Sequence, residues 1–247
     1  MNKKIFTAVV LAAGSGSRMK SDIPKQYMML GEYPVIYYSL MAFEKSAADA
    51  VVLVTGEDDI PFCENEIIKK YGLKKVKAVV AGGSERFLSV YEGLKAAEGT
   101  DYVLIHDGAR PLLSVDMIER SMKAVEEEKA CVPAVAVKDT IKISNSDGYV
   151  EDTPDRSRLC AVQTPQTFEY GMLMNAYTSF FATQKNGKTD VAVTDDAMLV
   201  EQFGSRKVKL IEGDLHNIKI TTPEDLLFAE LFIKRFQKRK KAVDTAG

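Results

Sequence analysis

Short apolar runs alternate with amphipathic stretches along most of this chain. Ile5–Ala13, Val51–Thr55, Val76–Ala81, Tyr102–His106, Cys131–Val137 and Val208–Glu212 are bounded apolar runs, most of them rich in β-branched residues, and they predict buried strands. Between them, Pro34–Glu44, Ile60–Tyr71, Glu85–Ala97 and Val115–Glu128 repeat apolar residues at helical spacing. Alternation of this kind predicts an α/β fold, a mainly parallel central sheet covered by helices. Ligands of such sheets bind in the loops beyond the carboxyl ends of the strands. The notable loops do follow strands: Gly14–Lys25, Gly82–Arg86 and Asp107–Pro111.

Two regions break the rhythm. From Lys138 to Val162 the pattern is extended: Thr140–Ile143 alternates, Asn145–Gly148 is a turn, and Tyr149-Val150 resumes. A two-stranded ribbon alone is marginal in water. This arm is therefore expected to grip a second subunit, the alternative being a hairpin folded back on its own domain. Near the end, Thr222-Pro223-Glu224-Asp225 reads as a helix start with Thr222 as N-cap, and the helix runs into the basic stretch Lys234–Lys241. That stretch reads as a solvated helix end.

Composition narrows the class. The 247 residues carry 46% hydrophobic and 28% charged side chains, which suits one packed domain spanning 1–247. A net charge of −2 argues against a general nucleic-acid binder, and no apolar run approaches the roughly 20 residues of a membrane span. Lys3 and Lys4 before an apolar run raise the possibility of a secretory signal, but the run is short and β-branched. A cytoplasmic location is expected, with Cys63, Cys131 and Cys160 reduced and mostly structural, since their spacing fits no metal or redox motif. Only His106 and His216 are available for histidine chemistry.

The most specific local signal is Leu11-Ala12-Ala13-Gly14-Ser15-Gly16-Ser17-Arg18-Met19, followed by Pro24-Lys25-Gln26. Small residues after a buried strand let backbone N–H groups approach a polyphosphate, and Arg18 and Lys25 add positive charge. A dinucleotide fingerprint would need a third glycine where Met19 stands, and a Walker loop would need Gly-Lys-Ser/Thr. The segment therefore points to chemistry at a nucleoside triphosphate.

These segments, with Gly82–Arg86 and Ser89, His106–Pro111, Asp139-Thr140, Thr164-Pro165-Gln166, Thr194–Ala197 and Asn217–Asp225, resemble the 2-C-methyl-D-erythritol 4-phosphate cytidylyltransferases. The resemblance spans nearly the whole chain. It implies a Rossmann-like (GT-A-like) nucleotidyltransferase fold with a protruding, dimerising β-arm, and Mg²⁺-dependent transfer of CMP from CTP to the polyol phosphate. Arg18, Lys25 and Lys219 match the family's cationic clamp. Ala12, Ala13, Gly14, Gly82, Gly83, Ser89 and Asp107 match the nucleotide site. Asp107, Arg110, Thr140, Arg156, Thr164 and Thr194 match the acceptor site, with Arg156 and Thr164 implied to reach into the partner subunit's site. Asp107 is the implied metal ligand, with Asn217 nearby; a simple ion pair with Arg110 is the alternative. Gly108 stands where alanine is common, a departure expected to matter little.

The chemistry is consistent with two histidines, because a phosphate monoester with a second pKa near ~6 is already a nucleophilic dianion. Catalysis then consists of positioning two polyanions and stabilising charge at the attacked phosphorus. Two rivals remain. A ribitol-5-phosphate cytidylyltransferase shares the loop, but Leu-Ala-Ala-Gly here replaces its Leu-Ala-Gly-Gly, and Gly-Ala precedes Arg110 in place of Ser-Val. A non-catalytic nucleotide-binding protein would be free to lose Arg18, Lys25, Asp107 and Lys219. No appended domain is visible, so a single activity is expected.

Overall fold

The computed structural model describes residues 3–14, 19, 23–185, 192–204 and 206–244. The chain begins with β1 (Phe6–Leu11), a small hairpin of β2 (Met29–Leu30) and β3 (Tyr33–Pro34), and α1 (Val35–Lys45). Then come β4 (Ala50–Thr55), α2 (Ile60–Phe62) continuing as a π-helix over Cys63–Lys69, β5 (Val76–Ala81) and α3 (Arg86–Ala96). After β6 (Tyr102–Asp107), α4 (Val115–Glu128) and β7 (Ala130–Ala136), the arm carries β8 (Ile143–Ser144) and β9 (Val150–Asp152). The chain closes with β10 (Cys160–Val162), β11 (Gln166–Glu169), α5 (Tyr170–Lys185), α6 (Asp196–Phe203), β12 (Lys209–Glu212) and α7 (Pro223–Asp244).

Eight of these strands form one sheet whose heart, β6-β1-β4-β5, is parallel. β11 is wedged antiparallel between β6 and β7, while β12 joins β7 in parallel. Strand periodicity sends alternate residues to opposite faces, and the core obeys it. Ala8, Val10, Leu53 and Leu104 meet Ile36, Leu40 and Phe43 of α1 and Met117, Ile118 and Val125 of α4. Val9, Val52, Val54, Val103 and Ile105 meet α3, α5 and α6. The result is helix, sheet and helix in three layers, as the alternating pattern predicts.

Several local expectations are revised. The stretch Ile60–Tyr71 is one short helix passing into a π-helix. β11, α5 and α6 were not identified from the sequence. Their positions depend on long-range packing: Phe168, Leu173, Tyr177, Phe180 and Leu199 are all buried in the second core face. The start of α7 is as expected, with Thr222 just before Pro223 and with Glu224 and Asp225 in the first turn; Asp225 Oδ2 accepts from the Thr221 and Thr222 amides, the reach-back half of a capping box. Cys63 and Cys131 are buried as expected of structural residues, whereas Cys160 is exposed. No helix among the described residues is long and apolar enough to cross a membrane.

Phe168 tests the unforeseen strand. Truncation of this fully buried ring in Phe168→Ala is expected to lower the unfolding free energy by about 3–5 kcal/mol. Urea denaturation would read this, and a loss below about 1 kcal/mol would contradict the packing described.

Candidate active site

The parallel strands run from β1 outward to β4 and β5, and the chain then returns to place β6 on the other side of β1. Helices on either side of such a switch point diverge, leaving a crevice at the carboxyl ends. Leu11 and Asp107 are partners in register at that edge. A cleft of ≈ 440 Å³ opens there, lined by Ala12, Ala13, Gly14, Lys25, Ser89 and Lys219 among others. It lies within the roughly 300–1,000 Å³ range of small-molecule sites. A second cavity of ≈ 160 Å³ adjoins it, with Arg110, Thr164 and Thr194 in its walls. Arg86, Asp107 and Lys219 line both.

The Pro-Lys-Gln triplet forms a tight turn against the end of β1. Tyr27 N donates to Pro24 O at 2.9 Å, and the Tyr27 ring is buried, its hydroxyl bonded to Thr55 Oγ1 and to Cys63 Sγ. Gln26 is buried and donates to the carbonyls of Ala12 and Gly14. These two side chains carry Lys25 to the cleft wall. Sequence reasoning named the triplet but gave a role only to its lysine. Arg18 lies outside the described residues.

Opposite, Gly82 and Gly83 leave no room for a side chain. A methyl on Gly82 would meet Ala13 Cβ and Ser89 Oγ at 2.6 Å, and one on Gly83 would meet Leu88 Cβ at 2.4 Å. Ser89 Oγ accepts from Gly83 N at 3.1 Å, fixing the loop on α3. Gly108 is similarly tight. The methyl of the alanine common there would meet Ile36 Cδ1 at 2.4 Å and Leu11 O at 2.8 Å, so here glycine accompanies a close approach of β1 and α1.

Asp107 is the electrostatic centre. Its Oδ2 lies 2.8 Å from Lys219 Nζ and 3.8 Å from Arg110 Nε, and its Oδ1 lies 3.3 Å from Arg86 Nε. Burial alone would raise its pKa. The Arg86 and Lys219 charges outweigh burial and hold the carboxyl well below the usual range. The simple Asp107–Arg110 pair is thus present, but Lys219 is closer. Arg86 is also 2.9 Å from the fully buried Asp196. It was overlooked as a site residue, although Gly82–Arg86 belonged to the matched motif; only the folded chain shows it facing two carboxylates.

Neutral side chains stitch the surrounding loops. Thr164 Oγ1 accepts from Asp107 N at 3.1 Å and contacts His106 Nδ1 at 3.0 Å. Asn217 Nδ2 donates to Thr164 O, Arg110 Nη1 to Asn217 O, and Gln163 Nε2 to Asp214 O, at 2.7–2.9 Å. Ile220 N donates to Ala109 O at 2.8 Å. Lys219 is therefore placed by a loop tied down on both sides. This corrects the expected reach of Thr164 into a partner's site: it is buried and committed within its own chain. Asn217 is likewise buried, its amide nitrogen committed to Thr164.

Thr140 and Arg156 are not brought to the cleft of their own chain. Both are exposed on the arm, and Arg156 Nη1 donates to Lys138 O at 3.0 Å. For a metal, Asp107 offers an ionised oxygen donor on the cleft wall. Mg²⁺ in nucleotide sites is held by one or two carboxylates together with substrate phosphates, and Asp107 fits that role.

A sheet of this topology, with a cationic crevice at its switch point between two small-residue loops, defines a nucleotidyltransferase-type α/β protein. The family model for 2-C-methyl-D-erythritol 4-phosphate cytidylyltransferase matches residues 6–235. The chain belongs to that family. A relative with that name from Lachnoclostridium phytofermentans is 51% identical over 231 residues, covering 94% of this chain and 97% of the relative. One from Lachnospira eligens is 47% identical, covering 92% and 99%. Among solved structures, the 4-diphosphocytidyl-2C-methyl-D-erythritol synthase of Anaerococcus prevotii superposes with a TM-score of 0.80 at 34% identity, covering 94% of this chain and 96% of that one.

His106 supplies a pH-linked prediction. Burial pushes its pKa from 6.5 down to about 4. Between those values the unfolded chain takes up a proton that the folded chain does not, so folding weakens as pH falls through that window. The contribution is about 3 kcal/mol. Urea unfolding at pH 6.5 and 4 should show a shallower decline for His106→Gln than for the parent chain; equal declines would refute the assignment.

Proposed function

We propose that this chain transfers the cytidylyl group of CTP to the phosphate of 2-C-methyl-D-erythritol 4-phosphate, releasing pyrophosphate, in non-mevalonate isoprenoid precursor synthesis. The observation that carries the reading is the pair of adjoining cavities sharing Arg86, Asp107 and Lys219. Two phosphorylated substrates can meet at such a junction. The names of the relatives, at up to 51% identity over most of the chain, support both the donor and the acceptor.

The acceptor phosphate, largely a dianion at neutral pH, needs no base. One of its oxygens forms a bond to the α-phosphorus of CTP in line with the bond to the departing pyrophosphate, which leaves with the electron pair. The protein's work is to hold both anions and to stabilise the charge that builds up on the α-phosphoryl oxygens. Lys25 and Lys219, both in the cleft wall, supply that charge, with Arg18 as the third member of the clamp. The backbone at Ala12, Ala13 and Gly14 would approach the polyphosphate, while Gly82 and Gly83, with Ser89, would read the cytosine edge and disfavour a larger purine. Asp107 would hold Mg²⁺ together with the triphosphate, and the ion would supply charge neutralisation.

On the acceptor side, Arg110 suits the phosphate and Thr194 the hydroxyls of the polyol, while Thr164 holds the Asp107 amide beside them. Thr140 and Arg156 would serve the neighbouring subunit's site through the arm. Its exposed apolar side chains, Ile141, Ile143, Tyr149 and Val150, support a homodimer in which they are covered. A cytoplasmic setting suits the free cysteines.

Pyrophosphate release with CTP and Mg²⁺ tests the reaction. Methylerythritol 4-phosphate should be strongly preferred over D-ribitol 5-phosphate, and the reverse preference would overturn the acceptor. Lys25→Ala and Lys219→Ala should each reduce turnover by about 10²-fold or more; near-normal rates would remove them from the mechanism. Verified heterodimers of an Arg156 variant with a Lys219 variant should regain activity from one intact composite site. Failure to regain it would argue that sites are not shared.

A further inference from the structure

Three cations, Arg86, Arg110 and Lys219, face two buried carboxylates, Asp107 and Asp196, at the junction of the cavities. Arg86 is the member that faces both carboxylates. Its Nη2 lies 2.9 Å from Asp196 Oδ2 and its Nε 3.3 Å from Asp107 Oδ1. Asp196 is itself immobilised: Tyr177 Oη donates to its Oδ1 at 2.6 Å, and Gln166 Oε1 accepts from the Asp196 and Ala197 amides at 3.0 and 3.1 Å. A guanidinium has five N–H donors in a rigid plane, so these two contacts orient the group and leave donors for a third partner. About a third of the side chain remains accessible, and it lines both cavities.

We propose that Arg86 is a catalytic residue that donates to the phosphoryl group in transit between the two cavities, with Asp196 and Tyr177 as its positioning residues. The assignment rests on the cytidylyl-transfer reading above. A planar donor held in place before the ligands arrive spends no reorganisation when charge develops on the phosphoryl oxygens. Lys219, a flexible single-point donor, would share the same group from the other side. The competing explanation is structural: Arg86 exists to neutralise Asp196, which is fully buried.

The double variant Arg86→Gln/Asp196→Asn separates the two explanations, because it removes both charges of that pair while Lys219 and Arg110 still face Asp107. On the proposal it folds with a parent-like melting temperature yet loses about 10²-fold in kcat. It also binds methylerythritol 4-phosphate, measured calorimetrically without CTP, about 10-fold more weakly. Arg86→Gln alone should be as inactive and also less stable. Parent-like kcat and parent-like binding in the double variant would overturn the proposal. Turnover of the parent chain with CTP and each polyol phosphate judges the reaction itself, whereas the binding comparison judges Arg86 whichever acceptor is correct.

Discussion

A carboxylate at the end of a buried strand is costly unless cations meet it, and the architecture around Asp107 follows from that requirement. The effective penalty for burying an ion is several kcal/mol. Here Arg86 at the start of α3, Arg110 in the loop after β6 and Lys219 before α7 converge on one side chain. They come from segments separated by many residues of chain, so the ion cluster assembles only when both helical layers and the C-terminal loop have docked. The same cluster forms the boundary between the two cavities. Stability and chemistry therefore share one electrostatic centre, in which Lys219 and Arg110 still face Asp107 when Arg86 is removed.

Around this centre the chain relies on neutral amides and hydroxyls. Gln26 holds the exit of β1, Gln163 and Asn217 hold the loop that carries Lys219, and Gln166 holds the start of α6. Each satisfies backbone groups that a loop near a buried site would otherwise leave unpaired. None adds charge that would compete with the ligand. The outcome is a cleft whose donors are aimed before any anion arrives, which is the condition under which electrostatic stabilisation is most effective. The tight contacts at Gly82 and Gly108 serve the same end, since they let the ends of β5 and β6 close on Ala13 and Leu11 with no room for a methyl group between them.

The arm follows a different logic. Its ribbon of β8 and β9 is exposed along its length and carries Tyr149 and Val150 in the open. Two short strands joined at Asn145–Gly148 do not bury enough apolar surface to persist by themselves. In the proposed homodimer a second subunit covers the ribbon. Thr140 and Arg156, which sit there away from their own cleft, acquire a use in the same arrangement.

The sequence by itself determined the layered α/β architecture, because buried parallel strands and amphipathic helices have different apolar periods. It also singled out the loop after β1 and, through the family resemblance, Asp107 and Lys219, which line the cleft. What it left unread depends on distance in space. β11 is only four residues long, and its insertion between β6 and β7 is decided by Phe168 reaching a core built from α3, α5 and α6. Arg86 and Gln26 look like ordinary polar residues until Asp196, Asp107 and the end of β1 are folded against them. The commitment of Thr164 to His106 and Asp107 likewise exists only between chain segments nearly sixty positions apart. Local pattern decides which elements form, whereas the pairing of buried charge and of hydrogen-bonding groups, which is non-local, decides which side chains face the ligand.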